Sequence, residues 1–304
     1  MQIEAALEQF AQHSQLRGVG PRTLGEYRKR LARWVKWRAG GEQIEDVSLT
    51  ELREFFSYLS ERTPYAGAAQ RAAQTGRRLS ASYILTIYQT IRIFWYWCEG
   101  EGLLTTEQIT FFRKRRVPSP RVEEQIRPTY DDQVFAALLD ACEQPRDRAV
   151  LLMLAESGAR VAELCSVEWE NTDFERRESK IRGKGGRWRW LFWGEQAAAA
   201  LAGYLATAEH TSGPLIRSEQ GGGLTTNCVR LIFRRLADRA GVELPAGAPV
   251  HALRHTFAHK VLDAGIDGLH LSQLLGHTTL RMTLRYTREH PSRLRDIHGR
   301  IFKP

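Results

Sequence analysis

Two arginines, a lysine, two histidines and a tyrosine stand in one order along the chain: Arg160, Lys184, His251, Arg254, His277 and Tyr286. Such a set can cleave a phosphodiester without a metal. Attack on phosphorus builds extra negative charge on its nonbridging oxygens, and that charge needs fixed donors around it. Arginine fits because its planar fork binds two oxygens at once and stays charged at any working pH. A tyrosine hydroxyl can attack in line and keep the phosphate as a covalent adduct, storing the bond energy for rejoining. A lysine or histidine can give the departing alkoxide its proton.

The local contexts carry this reading and its rivals. Arg160 follows Gly158 in Glu156-Ser-Gly-Ala-Arg-Val-Ala-Glu163-Leu164, so it falls at a helix break, with Glu163 one turn later as an ion partner. Lys184 sits among glycines in Arg182-Gly-Lys-Gly-Gly-Arg187, without the strand-to-helix placement of a phosphate-binding P-loop. His251-Ala-Leu-Arg254-His255 puts His251 and Arg254 on one helical face. The four-residue spacing of His251 and His255 invites a zinc-protease reading, but that motif needs Glu directly after the first His, where this chain has Ala252. His277 closes Leu274-Leu-Gly276-His277, and Tyr286 follows nine residues later, after Arg285. Taken singly, each of these residues is as well explained by packing or by a solvated face.

Periodicity places these residues on elements. Residues 1–112 read as helices: one opened by Pro21 with Leu24, Tyr27, Leu31 and Trp34 on one face, and one after the capping box Ser48-Leu-Thr-Glu51. A third is capped by Ser80, carries Ile84, Ile87, Ile91, Phe94 and Trp95, and ends near Gly100 and Gly102. Arg28, Lys29, Arg30, Arg33 and Lys36 crowd the first of these and suit either solvent or phosphates. Residues 63–78, rich in Ala, Gly, Gln and Arg, read as a surface loop. Residues 113–128 read as a basic linker kept extended by Pro118, Pro120 and Pro128. A second domain, 129–304, opens with a helix capped by Thr129, and Pro145 starts another that stops at Gly158. Residues 187–192 alternate in hydropathy behind Gly183, Gly185 and Gly186, the mark of a hairpin. Helices resume at Glu195 and near Thr225. The fold class is therefore mainly α with a small β-sheet, in two domains.

The 304 residues are 42% hydrophobic and 26% charged, which excludes extensive disorder, and the net charge is +9. A pI near 9.6 points to an anionic partner, nucleic acid first. Cys98, Cys142, Cys165 and Cys228 form no CxxC pair and read as small buried residues of a reducing compartment. No charged-then-apolar leader opens the chain, and the densest apolar run, 91–98, is too short to span a bilayer. A cytoplasmic, nucleoid-associated protein with no membrane partner is expected.

The ordered set of site residues resembles the active site of the tyrosine recombinases, the phage integrase family, and the chain's length is most similar to the compact Xer-type members. The resemblance spans the chain: a helical, SAM-like core-binding domain and an α+β catalytic domain. It implies that Arg160, Arg254 and His277 bind the phosphate and that Glu163 orients them. Lys184 protonates the 5′-oxygen, His251 assists the nucleophile, and Tyr286 forms a 3′-phosphotyrosyl bond. It implies no cofactor and no metal. The partner is double-stranded DNA with inverted-repeat half-sites, bound by a homotetramer, or by a synapse shared with a second recombinase, that exchanges strands through a Holliday junction. The tail 291–304, with Leu294, Ile297, Ile301 and Phe302, would dock on a neighbouring protomer. A type IB topoisomerase using the same chemistry on one duplex, and a non-catalytic DNA-binding accessory protein, are the alternatives.

Overall fold

The structure, a computed structural model, describes residues 1–38, 43–61, 79–122, 128–183, 186–208, 210–277, 283 and 299. The chain forms two compact units, Met1–Gln125 and Ile126–Pro304. The loop expected over 63–78, Lys184, Tyr286 and the tail 291–304 apart from Gly299 lie outside the described residues.

The first unit is helical among its described residues: α1 Ile3–Leu16, α2 Pro21–Trp37, α3 Leu49–Glu61, α4 Ala81–Gly100 and α5 Thr106–Arg113. Pro21 occupies the first turn of α2, as its fixed φ favours. Ser48 and Ser80 cap α3 and α4 through Glu51 N at 3.1 Å and Tyr83 N at 3.2 Å. The core is aromatic, with Trp34, Trp95, Phe55 and Phe94 fully buried. Gln108 ties the unit together: its Nε2 donates to the carbonyls of Ile44 and Val47, each at 2.9 Å. Several α2 cations have partners within the unit. Arg28 faces Glu8, Lys29 and Arg30 face Glu26, and Arg33 lies over the Tyr83 ring. Val117, placed by the sequence in an extended linker, is buried in this core and accepts a hydrogen bond from Tyr88.

The second unit builds around α7, Pro145–Ser157, whose residues from Ala149 to Leu154 are all buried. Packing on every side explains why its sequence shows little amphipathic periodicity. Before it lies α6, Asp132–Asp140, capped by Asp131 rather than Thr129, because the Asp131 carboxylate reaches Gln133 N at 2.8 Å. After it come the one-turn α8, Val161–Leu164, and an antiparallel sheet in the order β1 Thr172–Asp173, β2 Glu178–Arg182, β3 Trp188–Phe192. Arg182 pairs with Trp188 and Ile181 with Arg189, so the connection that includes Lys184 in sequence runs from 183 to 187. Helices α9 Glu195–Leu205, α10 Thr226–Ala240, α11 Pro249–Asp263 and α12 Gly268–Leu275 complete the described unit. Cys98 alone of the four cysteines is fully buried; the others are half-buried, and all are free.

Candidate active site

Helix α7 ends where Gly158 turns left-handed at φ +59°. A side chain there would be strained, and its Cβ would run into the ring of Phe257 on α11. This reversal sets Arg160 at the entrance of α8. Glu163 then folds back to cap it: Oε2 accepts from Arg160 N at 2.8 Å, and Oε1 accepts from Arg160 Nη1 at 2.7 Å.

Glu163 is only 4% exposed, and a buried carboxylate must be matched by charge and hydrogen bonds. Three arginines match it. Besides Arg160, Arg189 of β3 donates to Oε2 at 2.7 Å, and Arg254 Nη1 stands 3.8 Å from the same oxygen. Burial pushes the Glu163 carboxyl up, but the hydrogen bonds and charges of Arg189 and Arg160 prevail and hold it below the usual carboxylate value.

Arg254 is itself buried on α11. Its Nη1 donates to the Gly158 carbonyl and its Nη2 to the Leu275 carbonyl, each at 2.6 Å. These are carbonyls at the ends of α7 and α12, whose partial negative charge favours a cation. Arg254 therefore pins together the two turns that present Arg160 and His277. The second turn reverses at Gly276, φ +60°, where a Cβ would strike Arg189 Cδ. His277 follows, with Nδ1 2.8 Å from the hydroxyl of the buried Thr283. Burial, reinforced by the charges of Arg254, Arg160 and Arg189, pushes the His277 imidazole down to about 4.

The structure thus brings Arg160, Glu163, Arg254 and His277 into one cluster. His251 lies one turn before Arg254 on α11, but it is exposed where Arg254 and His255 are buried, so the two histidines of the zinc-like spacing do not share an environment. Lys184 and Tyr286 lie outside the described residues. Arg189 is the member that the sequence reading missed. Its signal was the alternation of 187–192: Arg189 shares a strand face with the buried Leu191, and a cation on an inward face must have a partner.

Comparison with known proteins places the chain in a family. Residues 129–293 match the phage integrase family. A tyrosine recombinase XerC from Mycobacterium sp. (strain JLS) is 32% identical over 289 residues, covering 86% of this chain and 93% of that protein. Among solved structures, the Tn1549 transposon integrase in complex with a circular intermediate DNA gives a TM-score of 0.73 at 18% identity, over 97% of this chain and 99% of that one. A lambda integrase tetramer bound to a Holliday junction gives 0.71 at 17% identity, over 96% and 80%. The chain belongs to the phage integrase family, and it is an enzyme of the DNA strand-transferase class. Within that family it is Xer-like.

Proposed function

We propose that this protein is a site-specific recombinase that cuts and rejoins DNA through a tyrosine-linked intermediate. The observation that carries the reading is the convergence of Arg160, Arg254 and His277 around the buried Glu163. Glu163 neutralises part of the arginine charge and fixes its direction, so the donors are in place before a phosphate arrives. A neutral His277 carries a single N–H. The Thr283 hydroxyl, 2.8 Å from Nδ1, holds the ring, and in the proposed site that N–H is donated to a nonbridging oxygen.

Tyr286 attacks phosphorus in line as its hydroxyl proton leaves toward a base, for which the exposed His251 is the candidate. The bond to the 5′-oxygen breaks, Lys184 gives that oxygen a proton, and a 3′-phosphotyrosyl bond remains. Attack by a 5′-hydroxyl from another strand reverses each step, so no external energy source is consumed. The +9 charge supports DNA as the partner, since displacement of counterions from phosphates supplies affinity. The lambda tetramer on a Holliday junction supports a tetramer that exchanges strands through such a junction, and the family resemblance extends the reading to a homotetramer on inverted half-sites of cytoplasmic nucleoid DNA.

A pool of nicked duplexes with randomised half-sites, captured on the protein under denaturing conditions, yields a site. Intact copies of that site on two labelled duplexes should then give recombinant strands and four-way intermediates in excess EDTA. Relaxation of any plasmid without strand exchange would favour a topoisomerase. Activity lost to EDTA and restored by a divalent metal would contradict the metal-free chemistry.

A further inference from the structure

On β3, Arg189 faces inward across from Ile181 and beside Leu191, on a face whose other members are uncharged. A charge there is costly unless several groups satisfy it. Besides its own neighbour Trp190, Arg189 meets acceptors on two distant pieces of chain. Nη2 donates to Glu163 Oε2 at 2.7 Å, while Nη1 donates to the carbonyls of Leu274 at 3.0 Å and Trp190 at 3.1 Å. Its Cδ and Nε lie against Gly276, close enough to forbid a Cβ, and the Nε is buried with no hydrogen-bond partner among the described residues. One guanidinium thus spans α8, β3 and the turn from α12 into His277. A lysine, a single point charge on a flexible stem, could not hold all three acceptors.

We propose that Arg189 is a positioning residue of the strand-transfer site: it locks the Glu163 carboxylate and the Gly276–His277 turn, so that Arg160, Arg254 and His277 converge on one phosphate. The inference rests on the recombinase reading. The hydrogen bonds account for the division of labour. Arg189 and the Arg160 N–H hold Oε2, which leaves Oε1 to orient Arg160 Nη1 at 2.7 Å. The charges around His277 are Arg254 from α11, Arg160 and Glu163 at α8, and Arg189 from β3, with the Thr283 hydroxyl at Nδ1.

Three variants of the full chain, Arg189→Lys, Arg189→Met and Gly276→Ala, test it by thermal melting, half-site DNA binding, single-turnover cleavage of the captured site, and NMR titration of His277. Gly276→Ala displaces Arg189 without altering it. All three should bind the half-site as the wild type does and cleave about 100-fold more slowly at saturating DNA, as a misplaced catalytic group does. Arg189→Met should also raise the His277 midpoint, while Arg189→Lys, which keeps the charge, should raise it less. Cleavage by Arg189→Lys and Arg189→Met equal to wild type, or a His277 midpoint unmoved in Arg189→Met, overturns the inference. Melting collapsed in all three variants also overturns it, by making Arg189 a structural cross-link. A wild type that cleaves no DNA would sink the recombinase reading alone, and the His277 titration would still decide the positional one.

Discussion

Glu163 and His277 show how one buried cluster sets two protonation states in opposite senses of charge. Glu163 stays ionised because its arginines outweigh burial, and His277 stays neutral because burial and the same arginines act together. Both shifts are downward, so both make the folded protein sensitive to acid. The unfolded imidazole takes up a proton near 6.5, whereas the folded one resists until about 4. Stability contributed by a neutral His277 is therefore complete above 6.5 and is lost as the pH falls from there to about 4. Glu163 adds a further loss below its ordinary value of 4.5. Urea unfolding of wild type and His277→Gln at pH 6.5 and pH 4.5 checks this: the variant should lose less stability across the interval. An equal loss in both proteins would mean that His277 does not carry the shift.

The elements that present the cluster are held by turns more than by long helices. Gly158→Ala places a side chain at positive φ and drives its Cβ into Phe257, so it should destabilise the protein by more than about 1 kcal/mol. Combining it with Phe257→Leu should recover the part due to the collision and leave the backbone strain. Denaturant midpoints of the single and double variants read the difference, and no recovery would mean that Phe257 is not the obstacle. Much of this scale was legible in the sequence. Pro145, Gly158 and the alternation over 187–192 marked the ends of α7 and the hairpin, because backbone restriction and strand period are local properties. The cap of α6 was misplaced by two residues, since Thr129 and Asp131 are both competent caps and only the hydrogen bond to Gln133 N decides between them. Arg189 was overlooked because its partners, Glu163 and Leu274, are distant in sequence. The burial of Arg254 was hidden for the same reason: two carbonyls that have no sequence signature receive it.

At the scale of the whole molecule, the two units have separate cores, aromatic in the first and aliphatic-rich around α7 in the second. In the proposed mechanism every residue assigned to the chemistry belongs to the second unit. Deleting residues 291–304 should spare binding to one half-site while weakening cooperative assembly on paired half-sites, read by gel shift across a titration. Equal loss of both would make the tail part of its own unit's core. The central claim, that a tyrosine of this chain becomes joined to DNA, is tested most directly by covalent trapping. Wild type incubated with a nicked suicide duplex of the captured site should give an adduct that survives denaturing electrophoresis, with peptide mapping placing the nucleotide on Tyr286. Tyr286→Phe should bind the same duplex and give no adduct; an adduct that persists in that variant, or one that maps to another residue, would contradict the account.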